Sequence, residues 1–176
     1  LRTANYKTLE EALNDVLTRI LAISAVHDLL SRDDLDHVGL RSIAEALVHH
    51  HQSSLILPNK SVVFDVRGED FRINMNQATS VALLLNELIA NAIEHGFDET
   101  NTGEIHINIE TKNEQVHLWV SNNGDNLPPD FDPTKSNSLG LQIVENLTRS
   151  MAGKFTIEDK HGWTVSYVVF PMMSGE

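Results

Sequence analysis

Asn86-Glu87-Leu88-Ile89-Ala90-Asn91-Ala92-Ile93-Glu94-His95-Gly96 is the stretch on which the reading of this chain turns. Leu84, Leu85, Leu88 and Ala92 supply the apolar stripe of a helix. Glu87, Asn91 and His95 fall at i, i+4 and i+8, so they form one polar row beside that stripe. Polar side chains against an apolar helix need a partner or a ligand, because desolvating them unpaired is costly. A carboxylate and an amide oxygen one turn apart suit a hard, oxygen-seeking cation such as Mg²⁺, which usually arrives with substrate phosphates. On this helix alone, an ordinary solvated face explains the row equally well.

The flanking sequence assigns this helix its limits. Asn74 and Gln77 form a capping-box pair that opens a helix over Met75 to His95, and Gly96 stands at the usual C′ position. Before it, Ser61 to Val66 and Phe71 to Ile73 read as strands on either side of Gly68. After it, Ile105, Ile107 and Ile109 alternate with His106, Asn108 and Glu110, and Val116, Leu118 and Val120 repeat the pattern. That spacing predicts two antiparallel strands with one wet face. Val120-Ser121-Asn122-Asn123-Gly124 carries a strand into a tight glycine turn. Ser121 to Ser138, with its prolines, Asn and Asp, reads as loop. Ser138-Leu139-Gly140-Leu141-Gln142-Ile143-Val144 opens a helix to Met151 on a glycine, which lets the free N–H groups of a first turn approach a phosphate. Two strands, Lys154 to Glu158 and Trp163 to Phe170, end at Pro171.

The N-terminal part differs in character. Leu9, Leu13, Val16, Ile20, Ile23, His27 and Leu30 alternate spacings of four and three over a helix from Tyr6 to Ser31, a heptad seam suited to packing along another helix. Leu17 and Leu21 broaden the stripe, which favours a bundle. Arg32 to Asp36 is a charged break. A second helix, Leu40 to Ser54, has Leu40, Ile43, Ala44, Leu47 and Val48 on one face. Its His49, His50 and His51 point in three directions, so they cannot jointly hold a metal, and they read as partly exposed.

Composition bounds the possibilities. The 176 residues suit one compact domain with a helical appendage. The absence of cysteine excludes a disulfide scaffold, a thiol nucleophile and a Cys-ligated metal. Thirteen Lys and Arg against 25 Asp and Glu give a net charge of −12, which disfavours direct nucleic-acid binding. No apolar run approaches the roughly 18 residues of a membrane span. The missing initiator Met leads to the expectation that the chain belongs to something longer.

Taken in order, Asn86 to His95, Asn122 to Gly124, Leu139 to Val144 and Gly162 to Pro171 resemble the N, G1 and G2 boxes and last strand of the GHKL ATP-binding (Bergerat) fold of gyrase, Hsp90, MutL and sensor histidine kinases. The resemblance covers Leu55 to Pro171. Arg19 to Ser31 resembles the second dimerisation helix of histidine kinases whose first helix carries an H-R-x-x-N phosphoacceptor motif, and in particular of kinases paired with ANTAR-type, RNA-binding antitermination regulators. By that resemblance Asn91 is the Mg²⁺-binding asparagine and Glu87 the acid that serves as general base in ATPase members. His95 lies near the nucleotide. Asn122 stands where an adenine-binding aspartate is usual and accepts the same hydrogen bond without charge assistance. Gly124 matches the first G1 glycine, while Asn126 replaces a second. Leu139, Gly140 and Leu141 match the backbone contacts to phosphate, and Thr164 the polar strand residue at the adenine end. Asp125 to Ser138 is then an ATP lid that Phe131 could anchor.

The expected architecture is α+β: a two-layer sandwich with a mixed, mostly antiparallel sheet and helices on one face, preceded by a helical dimerisation segment. Residues 1–34 would form the partial dimerisation region and 35–176 the catalytic ATP-binding domain. The resemblance implies a two-component sensor histidine kinase that uses ATP and Mg²⁺, a homodimer through the N-terminal helices, a response-regulator partner and a cytoplasmic location. No histidine here has the H-R-x-x-N context, so the acceptor is expected upstream. The alternatives are a GHKL ATPase or anti-sigma-type serine kinase, and a degenerate, nucleotide-free interaction module.

Overall fold

The computed structural model of the chain describes residues 9–32, 37–54, 61–97, 100–133, 136 and 138–172. In chain order the elements are α1 (Leu9–Arg32), β1 (His37–Gly39), α2 (Leu40–Ser54), β2 (Ser61–Gly68), β3 (Arg72–Asn74), α3 (Met75–His95), β4 (Thr102–Lys112), β5 (Gln115–Asn122), α4 (Leu139–Ser150), β6 (Lys154–Lys160) and β7 (Trp163–Pro171). The expected start of the first helix, Tyr6 to Thr8, and most of the charged break lie outside the described residues.

Five strands form one sheet in the order β2-β4-β5-β7-β6. β2 runs parallel to β4, and the other neighbours are antiparallel. The predicted alternation sets the register: Ile107 lies opposite Val120 and Ile109 opposite Leu118. These side chains are buried beneath α2, α3 and α4. Each contributes on the order of 1.5–3 kcal/mol by leaving water. β1 and β3 make a separate antiparallel pair, with Val38 opposite Ile73. A three-residue strand such as β1 is too short to show a period, so nothing in the sequence marks it.

α3 lies on the sheet beside α2 and α4 and also meets α1. At its start, the Asn74 side chain accepts from the Gln77 N–H at 3.0 Å. The return half of the expected capping box is not made, because the Gln77 amide instead donates to the Pro171 carbonyl at 3.4 Å. At its end, Gly96 is right-handed (φ −79°, ψ −9°), not left-handed as is usual at C′. Glycine is required there for space. A Cβ would lie 2.4 Å from the Ala92 carbonyl oxygen and 2.5 Å from the Asn122 amide nitrogen.

α1 packs on α3 and α2, but not through its most apolar face. Ala22 is fully buried and Leu29 packs against the core. Leu13, Val16, Leu17, Ile20 and Leu21 are between 43 and 58% exposed. Leu13, Val16 and Ile20 of the heptad seam therefore face away from the chain's own core, and His27 on that seam is exposed too. On α2 the histidines diverge as expected, but His51 is 2% exposed rather than partly exposed. It follows Ala44 and Leu47 by seven and four residues, which puts it on the buried stripe.

Asn74→Ala should lower stability by about 1 kcal/mol, the usual worth of a side-chain cap. Urea denaturation read by far-ultraviolet circular dichroism checks this, and an unchanged midpoint would contradict the assigned cap.

Candidate active site

α3, the end of β5, the loop after it and α4 enclose a cavity of about 720 Å³. Asn91 and His95 on α3, Asn122 at the end of β5, Gly124 in the following turn, Leu141 on α4 and Thr164 on β7 all line it. Three other predicted residues do not. Leu139 is 56% exposed, so only its backbone could serve a ligand. Gly140 is buried against α3: a Cβ there would lie 2.8 Å from Glu87 Oε2 and 3.6 Å from Asn91 Oδ1. Glu87 is thus beside the first turn of α4, behind the wall that Asn91 forms. The polar row of α3 is split, with Asn91 and His95 on the cavity and Glu87 beneath it.

The cavity has an apolar floor that includes Leu88, Ala92, Val120 and Ile157. Against it, the amide nitrogens of Asn91 and Asn122 are buried without a partner among the described residues. Buried donors are almost always paired, so two orphans in one cavity mark positions for ligand atoms. The first turn of α4 adds backbone N–H groups that no helix can satisfy internally. Ser138 does not cap them with its side chain, and no acidic residue occupies the turn. That arrangement favours an anion. Among the described residues no group of three or more His, Asp or Glu could hold a metal. Asn91 offers one neutral oxygen, which fits a hard cation that takes its remaining ligands from phosphate and water.

The lid root is fixed by contacts the sequence did not announce. The Asp125 N–H donates to the Gly96 carbonyl at 2.6 Å. A Cβ on Gly124 would lie 1.8 Å from that same carbonyl oxygen, so the turn is pressed onto the end of α3. Asn126, where a second glycine is usual, is not among the residues with positive φ and strains nothing. Asp159 accepts from the Thr164 hydroxyl at 2.7 Å through one oxygen and from the Leu127 N–H at 3.0 Å through the other. As one charge in an exposed strand, Asp159 carried no sequence signal. Phe131 borders the cavity, as expected of a lid residue.

Glu87 is held from α1. Arg19 Nε donates to Oε1 at 2.8 Å and Arg19 Nη2 to Oε2 at 3.0 Å, a bidentate pair with side chains 18 and 7% exposed. Removing one partner of so buried a pair costs about 3 kcal/mol or more, because the other charge is left unpaired. Behind it, His51 Nε2 lies 3.1 Å from Asn86 Oδ1. Burial lowers the His51 pKa to about 4, against the opposing pull of the Asn86 hydrogen bond. The ring is therefore neutral and donates through Nε2. Sequence reasoning gave neither Arg19 nor His51 a place at the site, since they lie 68 and 35 residues from their partners on α3. Because His51 binds a proton more weakly folded than unfolded, its contribution to stability is complete above pH 6.5 and lost as pH falls toward 4. Urea midpoints should drop from pH 6.5 downward, at a slope approaching about 1.4 kcal/mol per pH unit. His51→Gln should flatten that slope, and an equal slope in both proteins would refute the assignment.

Comparison with known proteins identifies related chains. Residues 76–174 match the histidine kinase-, DNA gyrase B- and HSP90-like ATPase family, and residues 2–62 match HWE histidine kinases. A sensor histidine kinase PdtaS from Mycolicibacterium smegmatis is 32% identical over 90% of this chain and 32% of its own length. One from Mycobacterium tuberculosis is 31% identical over 83% of this chain and 29% of its own length. The chain spans about a third of the length of these relatives. The histidine kinase domain of Erythrobacter litoralis EL346 superposes with a TM-score of 0.78 at 18% identity, over 90% of this chain and 75% of that one. Acinetobacter baumannii AdeS does so at 0.65 and 16% identity, over 94 and 81% of the two chains. At such identities the structural likeness is one of fold. With the family match covering more than half of the residues, the chain belongs to the histidine kinase-, DNA gyrase B- and HSP90-like ATPase family.

Proposed function

We propose that the chain binds Mg²⁺-ATP in the cavity and transfers its γ-phosphoryl group to a histidine imidazole on a helix preceding α1, from which it passes to an aspartate of a response regulator. The observation that carries this reading is the pair of buried, unpartnered amide nitrogens, of Asn91 and Asn122, in one cavity that Ser138 and Leu141 at the uncapped start of α4 also line. Asn122 orients the base through its amide, and Thr164, its proton committed to Asp159, presents an oxygen to the same end. The N–H groups of Leu139, Gly140 and Leu141 hold phosphate oxygens. His95 and the lid exclude water at the rim. Asn91 would hold the divalent cation, which when bound neutralises phosphate charge. Glu87 is the basic group nearest the phosphate end. The protein's part is positioning and electrostatics, as in phosphoryl transfer generally.

The exposed row on α1, from Leu13 to Leu21, serves a homodimer through the N-terminal helices. Residues 1–34 are the dimerisation portion and 35–176 the catalytic portion. The regulator is of the ANTAR type, which binds RNA in place of this acidic chain, and the site of action is cytoplasmic. A second reading, a GHKL ATPase or anti-sigma-type serine kinase, draws on Glu87, which lies close enough to Gly140 to serve water or a hydroxyl.

Calorimetric titration should show ATP and ADP binding that tightens with Mg²⁺. Asn91→Ala should weaken Mg²⁺-ATP about tenfold, or about 1.4 kcal/mol, and leave Mg²⁺-free ADP binding nearly unchanged. Asn122→Asp should tighten ATP, by restoring a charged acceptor. No binding of either nucleotide would leave the interaction-module reading in its place. His27, the seam histidine followed by Asp28, should take no label from γ-phosphate-labelled ATP. Label that appears on this chain and vanishes in His27→Gln would move the acceptor inside it.

A further inference from the structure

We infer that Arg19 determines the acceptor specificity of the site: by occupying Glu87, it prevents water from receiving the phosphoryl group while α1 is docked. This rests on the proposal above that ATP fills the cavity and that Glu87 is the nearest base. Hydrolysis would require the oxygen of water to bond to the γ-phosphorus while the bond to the β,γ-bridging oxygen breaks and ADP leaves. The proton of that water would pass to a carboxylate oxygen of Glu87, the acid beside the first turn of α4. In this structure each of those oxygens accepts an N–H from one guanidinium, at 2.8 and 3.0 Å. A proton arriving at either oxygen breaks a bidentate, largely buried ion pair, so Glu87 serves as base only after Arg19 has left.

The same pair ties that event to the position of a helix. Arg19 lies on α1 three residues before Ala22, the fully buried contact of α1 with the domain. Undocking α1 withdraws the guanidinium, and docking α1 returns it. The Asn86 amide nitrogen lies 3.5 Å from Oε1, at the limit of a hydrogen bond, while the amide oxygen meets His51; one neutral donor at that distance is weaker than a bidentate guanidinium. It does not replace Arg19. The outcome suits a kinase, whose phosphoryl group is wasted if water competes with the intended acceptor. It also assigns the polar face of α1 a task distinct from that of its exposed apolar row.

The test uses the whole 176-residue chain. Phosphate release from Mg²⁺-ATP, nucleotide affinity by calorimetry and amide hydrogen exchange over α1 are measured for wild type, Arg19→Gln, Arg19→Lys and Arg19→Gln/Glu87→Gln. Arg19→Gln should exchange faster across α1 and raise kcat for phosphate release at least tenfold with KM within twofold. Arg19→Lys, which keeps the charge but not the fork, should fall between. The double variant should return to the wild-type rate, because the base is gone. A loss of folding alone lowers kcat and does not reproduce this pattern. Normal ATP binding with phosphate release unchanged or reduced in both Arg19 variants would overturn the inference and spare the proposed function. Failure of wild type to bind ATP would overturn both. An Arg19→Gln gain that persists in the double variant would also overturn it, by showing that the proton goes elsewhere.

Discussion

A helix packed from all sides cannot carry polar residues at depth unless each finds a partner, and α3 carries several. Asn86 and Glu87 are buried in its middle, and Asn91 follows one turn later. The fold resolves each differently. Asn86 meets His51 from α2, and Glu87 meets Arg19 from α1. The amide nitrogen of Asn91 is left without a partner, as is that of Asn122 across the cavity. Leaving such donors unpaired costs on the order of 1–3 kcal/mol each. The distribution of polar partners along α3 therefore separates its supporting side from its ligand side.

Close approach of backbones is the second requirement. The turn at Gly124 and Asp125 sits directly on the carbonyl of Gly96, and Asn122 packs against the Gly96 α-carbon. This contact sets the distance between Asn122 and the helix that carries Asn91. It also explains why Gly96 is glycine although its backbone is right-handed. A side chain would separate the two walls of the cavity. Asp159 then holds the Leu127 N–H and the Thr164 hydroxyl with one carboxylate, so the loop after β5 starts from a fixed point.

α1 divides its two tasks between two faces. Its apolar seam is exposed, whereas Ala22, Leu29 and Arg19 face the domain. Small and polar residues let the helix approach α3 closely and end in a directional ion pair instead of a broad apolar contact. Such a contact is specific in geometry, because both N–H groups of the fork must meet both carboxylate oxygens. The apolar seam, by contrast, gains only by covering area and is suited to another helix.

Much of this was legible in the chain. The alternation of Ile105 to Ile109 and of Val116 to Val120 determined two strands and their buried face, because a strand turns its side chains over every two residues. The cap at Asn74 and the glycine at 96 bounded α3, and the four-residue spacing of Glu87, Asn91 and His95 put three polar groups on one side of it. These are local regularities, set by steric periods within a few residues. What the local pattern could not decide is which of those groups faces the ligand. Glu87 leaves the cavity for Arg19, 68 residues earlier in the chain, and His51 turns inward to Asn86, 35 residues later. β1 exists only because β3 pairs with it. Partnerships of that kind depend on how the helices are stacked against the sheet, and that stacking is chosen by the total apolar surface buried and the polar groups it must satisfy. The amino-acid sequence by itself thus determined the long helices, the strands of the main sheet and the family resemblance, but not β1. The tertiary structure alone decided that the carboxylate beside the first turn of α4 is held by a helix outside the cavity.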